Sequence, residues 1–267
     1  MRIEQLGEGE PEVAIVGAIH GDEPCGASAV EHFLEKPPTV ERPVAFVLAN
    51  EEALAAETRF LEEDLNRAFP GDAEAETHEG RLAARLTEAI GECRTLSLHS
   101  TQSYGSPFAI VDGVGEFARA VTPQMTLDAV VDAGAFDRGR IFEGIPETIE
   151  VECGFQGSAA AAENAISLTR EFLVATGVLA PESTGTESRD QRDPLPVYRL
   201  EDKVPKTAAD RYEVHVENFE EVAAGEVFAS ADGEPIRAPD PFYPVLLSAE
   251  GYADQFGYTA RYVESLR

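Results

Sequence analysis

The chain of 267 residues carries 21 Lys and Arg against 50 Asp and Glu, a formal net charge of −29 at pH 7, with 43% hydrophobic residues and 22 glycines. That apolar share excludes an intrinsically disordered chain. The carboxylate excess repels phosphates and anionic lipid heads, which excludes general nucleic-acid or membrane-surface binding.

Only Lys36, Lys203 and Lys206 are lysines; the other basic residues are arginines. So acidic a surface is expected of a protein adapted to a salt-rich cytoplasm, where the Debye length is about 3 Å at 1 M. An ordinary acidic cytosolic enzyme is the alternative. A chain of this length buries roughly three quarters of its unfolded surface, enough for one large domain or a large and a small one. Cys25, Cys93 and Cys153 are odd in number and share no CxxC spacing, so reduced thiols are expected. Residues 1–12 are acidic and hold no apolar signal core, and the longest clean apolar run, 13–19, is far below the ~20 residues that span a bilayer. A soluble cytoplasmic protein is expected.

In chain order, residues 13–19 read as a buried strand, followed by a helix over about 23–33 with Pro24 in its first turn. Residues 43–48 read as a second strand. Leu82, Leu86 and Ile90 at i, i+4, i+8 predict a helix over 78–90. Strands are predicted at 95–98, 107–111 and 127–131. Over 148–153, Ile149, Val151 and Cys153 alternate with glutamates, leading into a helix over 159–176. Strands alternating with helices imply an α/β fold with a mixed or largely parallel sheet and helices on both faces. Ligands in such sheets gather at the C-terminal strand ends. The polar stretch 180–194 reads as a linker. Short strands at 198–200, 212–216, 226–229, 236–238, 245–247 and 258–263 suggest a smaller β-rich C-terminal domain. The expected organisation is therefore 1–179, linker 180–194, and 195–267.

Two of five histidines stand where strands end. His20 closes the first strand in AIVGAIHGDEP, with Glu23 three residues on, and His99 closes another in TLSLHS. Two imidazoles and a carboxylate make the N2O set of a catalytic zinc site with a fourth position open. Gly21 is expected to give the intervening turn its backbone freedom. His32, His78 and His215 read as surface or rim residues. The segment 58–71, TRFLEEDLNRAFPG, places Arg59, Asn66 and Arg67 among apolar residues. A guanidinium forks onto a carboxylate, and an asparagine amide adds a donor; pairing of the arginines with Glu62, Glu63 and Asp64 is the alternative. In EVECG, Glu150 and Glu152 share one strand face, and a carboxylate there could serve as general base for a metal-activated water.

The ordered set GAIHGDE, TRFLEEDLNRAFPG, SLHS and IEVECG resembles the succinylglutamate desuccinylase/aspartoacylase family of the zinc carboxypeptidase superfamily. The resemblance runs from about residue 12 to 160 and resumes at LSAEGYADQFGY. It implies a carboxypeptidase-like α/β domain with a β-rich C-terminal domain. One zinc ion would be held by His20, Glu23 and His99, with Arg59 on the oxyanion of the scissile carbonyl. Asn66 and Arg67 would clamp a substrate carboxylate, Glu152 would be general base and acid, and Tyr252 would reach the substrate from the second domain. The family's aspartoacylase branch has a further substrate-binding arginine before the catalytic glutamate; here Arg138 and Arg140 lie a couple of positions earlier. The implied activity is zinc-dependent hydrolysis of the amide of a small anionic N-acylated amino acid. A metallocarboxypeptidase acting on a peptide C-terminus, and a non-catalytic small-acid-binding or regulatory protein, are the alternatives. The sequence is compatible with a homo-oligomer.

Overall fold

The computed structural model describes residues 1–134, 136, 138–181 and 193–267; most of the expected linker, residues 182–192, lies outside the described residues. The first strand, β1 (Arg2–Leu6), is followed by β2 (Val13–Gly17), α1 (Pro24–Glu35), β3 (Val44–Leu48) and α2 (Glu51–Ala55). Then come α3 (His78–Ile90), β4 (Arg94–Thr101), β5 (Phe108–Val111), α4 (Glu116–Val121), β6 (Val130–Asp132), β7 (Thr148–Phe155) and α5 (Ala159–Ala175). The C-terminal part supplies β8 (Leu195–Pro205), β9 (Tyr212–Val214), β10 (Val227–Ala231), β11 (Glu234–Arg237), β12 (Tyr243–Val245) and β13 (Gln255–Leu266).

Ten of these strands form one mixed sheet in the order β1-β3-β2-β4-β7-β5-β6-β8-β13-β12, and β11-β10-β9 form a small antiparallel sheet. β3, β2, β4 and β7 are parallel, whereas β5 runs antiparallel to β7. Alternation along the strands separates two cores. Val13 and Ile15 pack with α1, α4 and α5 on one face, while Ala14 and Val16 pack with α3 on the other. Thr77 caps α3 by accepting from the Gly80 N–H at 3.1 Å, and Leu82, Leu86 and Ile90 are buried as their spacing predicts. Each such fully buried side chain is worth roughly 1.5–3 kcal/mol. Cys25, Cys93 and Cys153 are free and buried. Among the described residues no helix is long and apolar enough to cross a membrane.

The C-terminal strands do not stand apart from the main sheet. β8 pairs in parallel with β6, matching Val130 to Val197 and Val131 to Tyr198. Tyr198, Leu200, Val245 and Ala260 share the core that α3 covers. A further apolar cluster around Phe228, Phe242 and Phe256 packs the small sheet against β8 and β13 of the main sheet. Sequence texture separates short from long elements but carries no record of which strands pair, so this continuity was not readable from it.

The first predicted strand ends two residues early, at Gly17, because Ala18 takes φ 57° and turns the chain out of the sheet. Backbone bonds from Ala49 N to Gly17 O and from Asn50 N to Ala18 O, both 2.9 Å, carry the contact with the β3 side onward. Gly21 is required for space rather than for conformational freedom. Its φ is ordinary, and a Cβ there would lie 2.1 Å from the Ala53 carbonyl carbon of α2. Gly17 and Gly26 likewise bring α1 onto the sheet, since a Cβ on Gly17 would lie 2.5 Å from the Gly26 carbonyl carbon. Because the clash at Gly21 is with backbone, Gly21→Ala is expected to cost about 1–3 kcal/mol, the usual range for overpacking. Urea unfolding followed by circular dichroism in KCl measures it, and an unchanged midpoint would count against this account.

Candidate active site

The strand order reverses direction at β2: β3 lies on one side of it and β4 on the other. The carboxyl ends of β2 and β4 therefore border the crevice where open α/β sheets bind ligands. His20 follows β2, Glu23 immediately precedes α1, and His99 lies near the end of β4. The register between β4 and β7 sets Ser97 against Glu150 and His99 against Glu152. Leu96, Leu98, Ile149, Val151 and Cys153 pack into the opposite core, so the pleat turns both polar pairs to one face.

His20, Glu23 and His99 are all buried, and one ligand atom from each lies within 4.8 Å of the others. His20 Nδ1 is 2.8 Å from Glu23 Oε1, and His99 Nδ1 is 3.0 Å from Glu23 Oε2. The other ring nitrogens face outer partners: His20 Nε2 lies 3.0 Å from Asp64 Oδ1, and His99 Nε2 lies 3.0 Å from Ser97 Oγ. Metal-ligating histidines use one nitrogen on the ion and the other on such a partner, which fixes ring orientation and tautomer. This donor set therefore fits a zinc-type ion. Burial disfavours a charged His20, but Glu23 and Asp64 outweigh it and lift its pKa to about 9. Burial also works against ionised Glu23, and His20 and His99 hold it well below the carboxylate range.

The segment 58–71 supplies the next wall. Arg59 donates from Nη1 to Glu23 Oε1 at 3.1 Å and from Nε to Asp64 Oδ2 at 3.2 Å. Of the three acids that could have paired with its arginines, Asp64 does so, while Glu63 and Glu62 accept from Thr77 Oγ1 and the His78 N–H at the start of α3. Asp64 also accepts from the Asn66 N–H at 2.9 Å, opening the 3-10 turn Leu65–Arg67. Gly139 touches this turn: at φ 80°, a Cβ there would lie 1.9 Å from Arg67 O. The Asn66 side chain is committed to the protein at both ends. Its Nδ2 donates to Glu150 Oε1 at 2.6 Å, and its Oδ1 accepts from the Ile141 N–H at 2.9 Å.

The two glutamates of β7 have different surroundings. Glu150 is buried and accepts from Asn66 and from Arg140 Nη2, with His99 Nε2 at 3.6 Å. Burial opposes its charge, and Arg140 and His99 hold its pKa below the ordinary value. Glu152 keeps a buried Oε2 without a partner. Burial first, and Glu23 second, push its pKa up to about 7. Arg140 also keeps a buried Nε without a partner.

One cavity of about 130 Å³ collects these groups. His20, Glu23, His99 and Glu152 line it, as do Arg59, Asn66, Arg67 and Arg140. From the C-terminal part come Leu246, Ser248, Gly251 and Tyr252. Burial drives the Tyr252 hydroxyl pKa far above its ordinary value. Nine of the ten residues that the resemblance singles out thus line one cavity. Arg138 is exposed and is not among the lining residues. His32 and His78 are half-buried and His215 is exposed, bonded to Ser230 at 3.0 Å; none lines the cavity.

Sequence reasoning named Asp64 only as an arginine partner and missed its contact with His20; it also missed Ser97 and Glu79. Glu79 is fully buried, and its carboxylate accepts from the N–H groups of Leu61, Glu62 and Glu63 at 2.7, 3.2 and 3.3 Å and from Asn50 Nδ2 at 3.0 Å. The only signal was its place in the first turn of a helix, where acids are common.

The same architecture occurs in solved structures. Murine aminoacylase 3 superposes with a TM-score of 0.72 at 21% identity, covering 97% of each chain. The product-bound ectoine utilization protein EutE of Ruegeria pomeroyi gives 0.77 at 20% identity, covering 99% of this chain and 88% of that one. The fold is thus of the aminoacylase-like α/β class, with a small antiparallel sheet in the C-terminal region. Within it, residues 9–108 match the family model of the succinylglutamate desuccinylase/aspartoacylase catalytic domain. Over 113 residues the chain is 34% identical to a mouse N-acyl-aromatic-L-amino acid amidohydrolase (carboxylate-forming), covering 36% of each protein. Over 60 residues it is 42% identical to a probable aspartoacylase of Nostoc sp., covering 21% of this chain and 20% of that protein. These alignments thus span about a third or less of the curated relatives' length.

Burial works against ionised Glu79, but its four donors hold the pKa below its ordinary value of 4.5. A lowered carboxyl pKa gives stability that is complete above the unfolded value and is lost as pH falls through the folded value. Glu79→Ala is therefore expected to cost about 2–3 kcal/mol at pH 7 and to flatten the loss of stability below pH 4.5. Urea midpoints between pH 3 and pH 7, as an approximate working range, measure both effects.

Proposed function

We propose that the chain is a member of the succinylglutamate desuccinylase/aspartoacylase family. It hydrolyses the amide bond of a small anionic N-acyl amino acid with one zinc ion held by His20, Glu23 and His99. The observation that carries this reading is the unpartnered, buried Oε2 of Glu152, which sits in the same cavity as the two imidazoles and Glu23. The matches of residues 9–108 to the family model and of part of the chain to named amidohydrolases support it.

An ion bound there supplies Lewis-acid polarisation of the acyl carbonyl and a water made acidic enough to deprotonate near neutral pH. Glu152, whose Oε2 has no partner in the protein, takes that proton at a carboxylate oxygen and returns it to the departing amine. Arg59, half-exposed and tethered to Glu23 and Asp64, places a guanidinium where the acyl oxygen gains charge; such donors are worth roughly 3–4 kcal/mol. Arg67 binds the substrate carboxylate, and Asn66 fixes the 3-10 turn that carries Arg67. Arg140, locked to Glu150, offers its remaining guanidinium edge to the cavity. Tyr252 closes the site from the C-terminal side.

A cavity of about 130 Å³ walled by Leu246, Ser248, Gly251 and Tyr252 favours small acids over a peptide C-terminus. The intact metal set and the unpartnered Glu152 weigh against a purely binding protein. The 50 acidic residues support a salt-adapted surface, so assays belong in concentrated KCl.

Glu152→Gln is expected to retain one zinc per chain while turnover on N-acetyl and N-succinyl amino acids falls at least about a hundredfold. Its raised carboxyl pKa removes stability as pH rises from 4.5 through about 7, so the same substitution should raise the urea midpoint of chelator-treated protein at a pH about one unit higher. Near-normal turnover would sink the base assignment. Arg67→Lys replaces a planar fork with a point charge and is expected to raise KM about tenfold or more with little change in zinc content. Unchanged KM would remove Arg67 from the carboxylate site.

A further inference from the structure

The side of the cavity that carries Tyr252 is a short loop, residues 249–254, in which Glu250, Gly251, Ala253 and Asp254 are exposed. Its feet are tied by backbone bonds from Ser248 N to Phe256 O at 2.7 Å and from Lys206 N to Asp254 O at 2.9 Å. Ser248 Oγ accepts from the N–H groups of Glu250 and Gly251, each at 3.2 Å. A further hold on the middle of the loop comes from a side chain elsewhere in the chain. Lys206, the residue after β8, donates from Nζ to Ala249 O at 2.8 Å and to Tyr252 O. The same ammonium stands 4.9 Å from the ring centre of Tyr212 and 5.6 Å from that of Phe256.

An ammonium has three donors that rotate freely about its stem. Here two of them reach carbonyls on both limbs of one turn, while two aromatic faces accept the charge. Exposed backbone with small residues opens easily, so a tie to two carbonyls, added to the Ser248 bonds and the packing of the Tyr252 ring on Tyr258, narrows where the loop rests. Lys206 itself is not among the residues lining the cavity. It is one of only three lysines in a chain whose other cations are arginines.

We propose that Lys206 is a positioning residue for substrate capture: it clamps loop 249–254 and so sets Tyr252 into the cavity wall where the N-acyl amino acid is bound. The substrate half of this proposal rests on the amidohydrolase reading above; the clamp does not.

Lys206→Met keeps a stem against both rings and removes the donors. In zinc-loaded protein, amides of 249–254 are expected to exchange at least about tenfold faster, with β4 and β7 unchanged. On the best substrate among N-acetyl and N-succinyl amino acids, KM should rise about tenfold while kcat stays within about threefold. In a Tyr252→Phe background the same change should add less than about twofold to KM, because the two side chains act as one unit. Unchanged exchange, an unchanged KM, or a KM rise that persists in full in the Tyr252→Phe background overturns the proposal. If the wild-type zinc protein hydrolyses none of these compounds, the amidohydrolase reading fails by itself, and the exchange comparison alone decides the clamp. Should Lys206→Met fold poorly, Lys206→Leu, apolar and equally without donors, carries the same readouts.

Discussion

One buried carboxylate ties the site to the fold. Glu23 accepts from Arg59 and from the Ser100 N–H at 3.2 Å while both imidazoles face it. It therefore joins the turn after β2, the start of α1, the end of β4 and the segment 58–71. An ionised carboxylate out of water is tolerated only where donors or cations surround it. The turn after β2, the end of β4 and the segment 58–71 each bring at least one, so their positions and that of α1, which starts beside Glu23, are coupled through the same two oxygens. The close approach of Gly17 and Gly26 serves this arrangement, because it lets α1 begin near enough to the strand ends for Glu23 to point between the histidines.

A division of labour among acids follows. Asp64, Glu150 and Glu79 are all buried or half-buried, and all are saturated with donors: a histidine and an arginine, an arginine and an amide, and three backbone N–H groups with an amide. Such groups stay ionised and hold shape. Glu152 stands two residues from Glu150 on the same strand face, yet it lacks those donors and its proton affinity rises. Alternate positions on one strand thus carry a donor-saturated carboxylate and one with raised proton affinity, and the difference comes from what the neighbouring segments present to them.

Much of the first 180 residues was legible because its signals are local. The i, i+4 spacing of Leu82, Leu86 and Ile90 names a helix face, alternation around Glu150 and Glu152 names a strand face, and His20 and Glu23 sit three apart across a turn. What escaped is non-local or depends on a neighbour's backbone. Gly21 looked like a flexible hinge and is instead a site of contact with α2. Asn66 lines the cavity, but its bonds to Glu150 and Ile141 come from segments far away in sequence and left no local sign. Strands β8, β12 and β13 looked like parts of a separate body, because pairing partners far apart in sequence leave no periodic trace.

That pairing has a consequence for how the molecule can be divided. With β8 laid against β6 and β13 against β8, the metal-set half has no outer strand of its own on that side. Cutting the chain before residue 195 would bare the hydrogen-bonding edge of β6 and strip the α3-side core of Tyr198, Val245 and Ala260, inviting edge-to-edge aggregation. The residues that wall the cavity from the C-terminal side are therefore held by the same sheet that carries His20 and His99. The loops that join the last strands can change without disturbing the pairing of the sheet. The order of the strands themselves is not free to change, since every link in the row is needed to close the next.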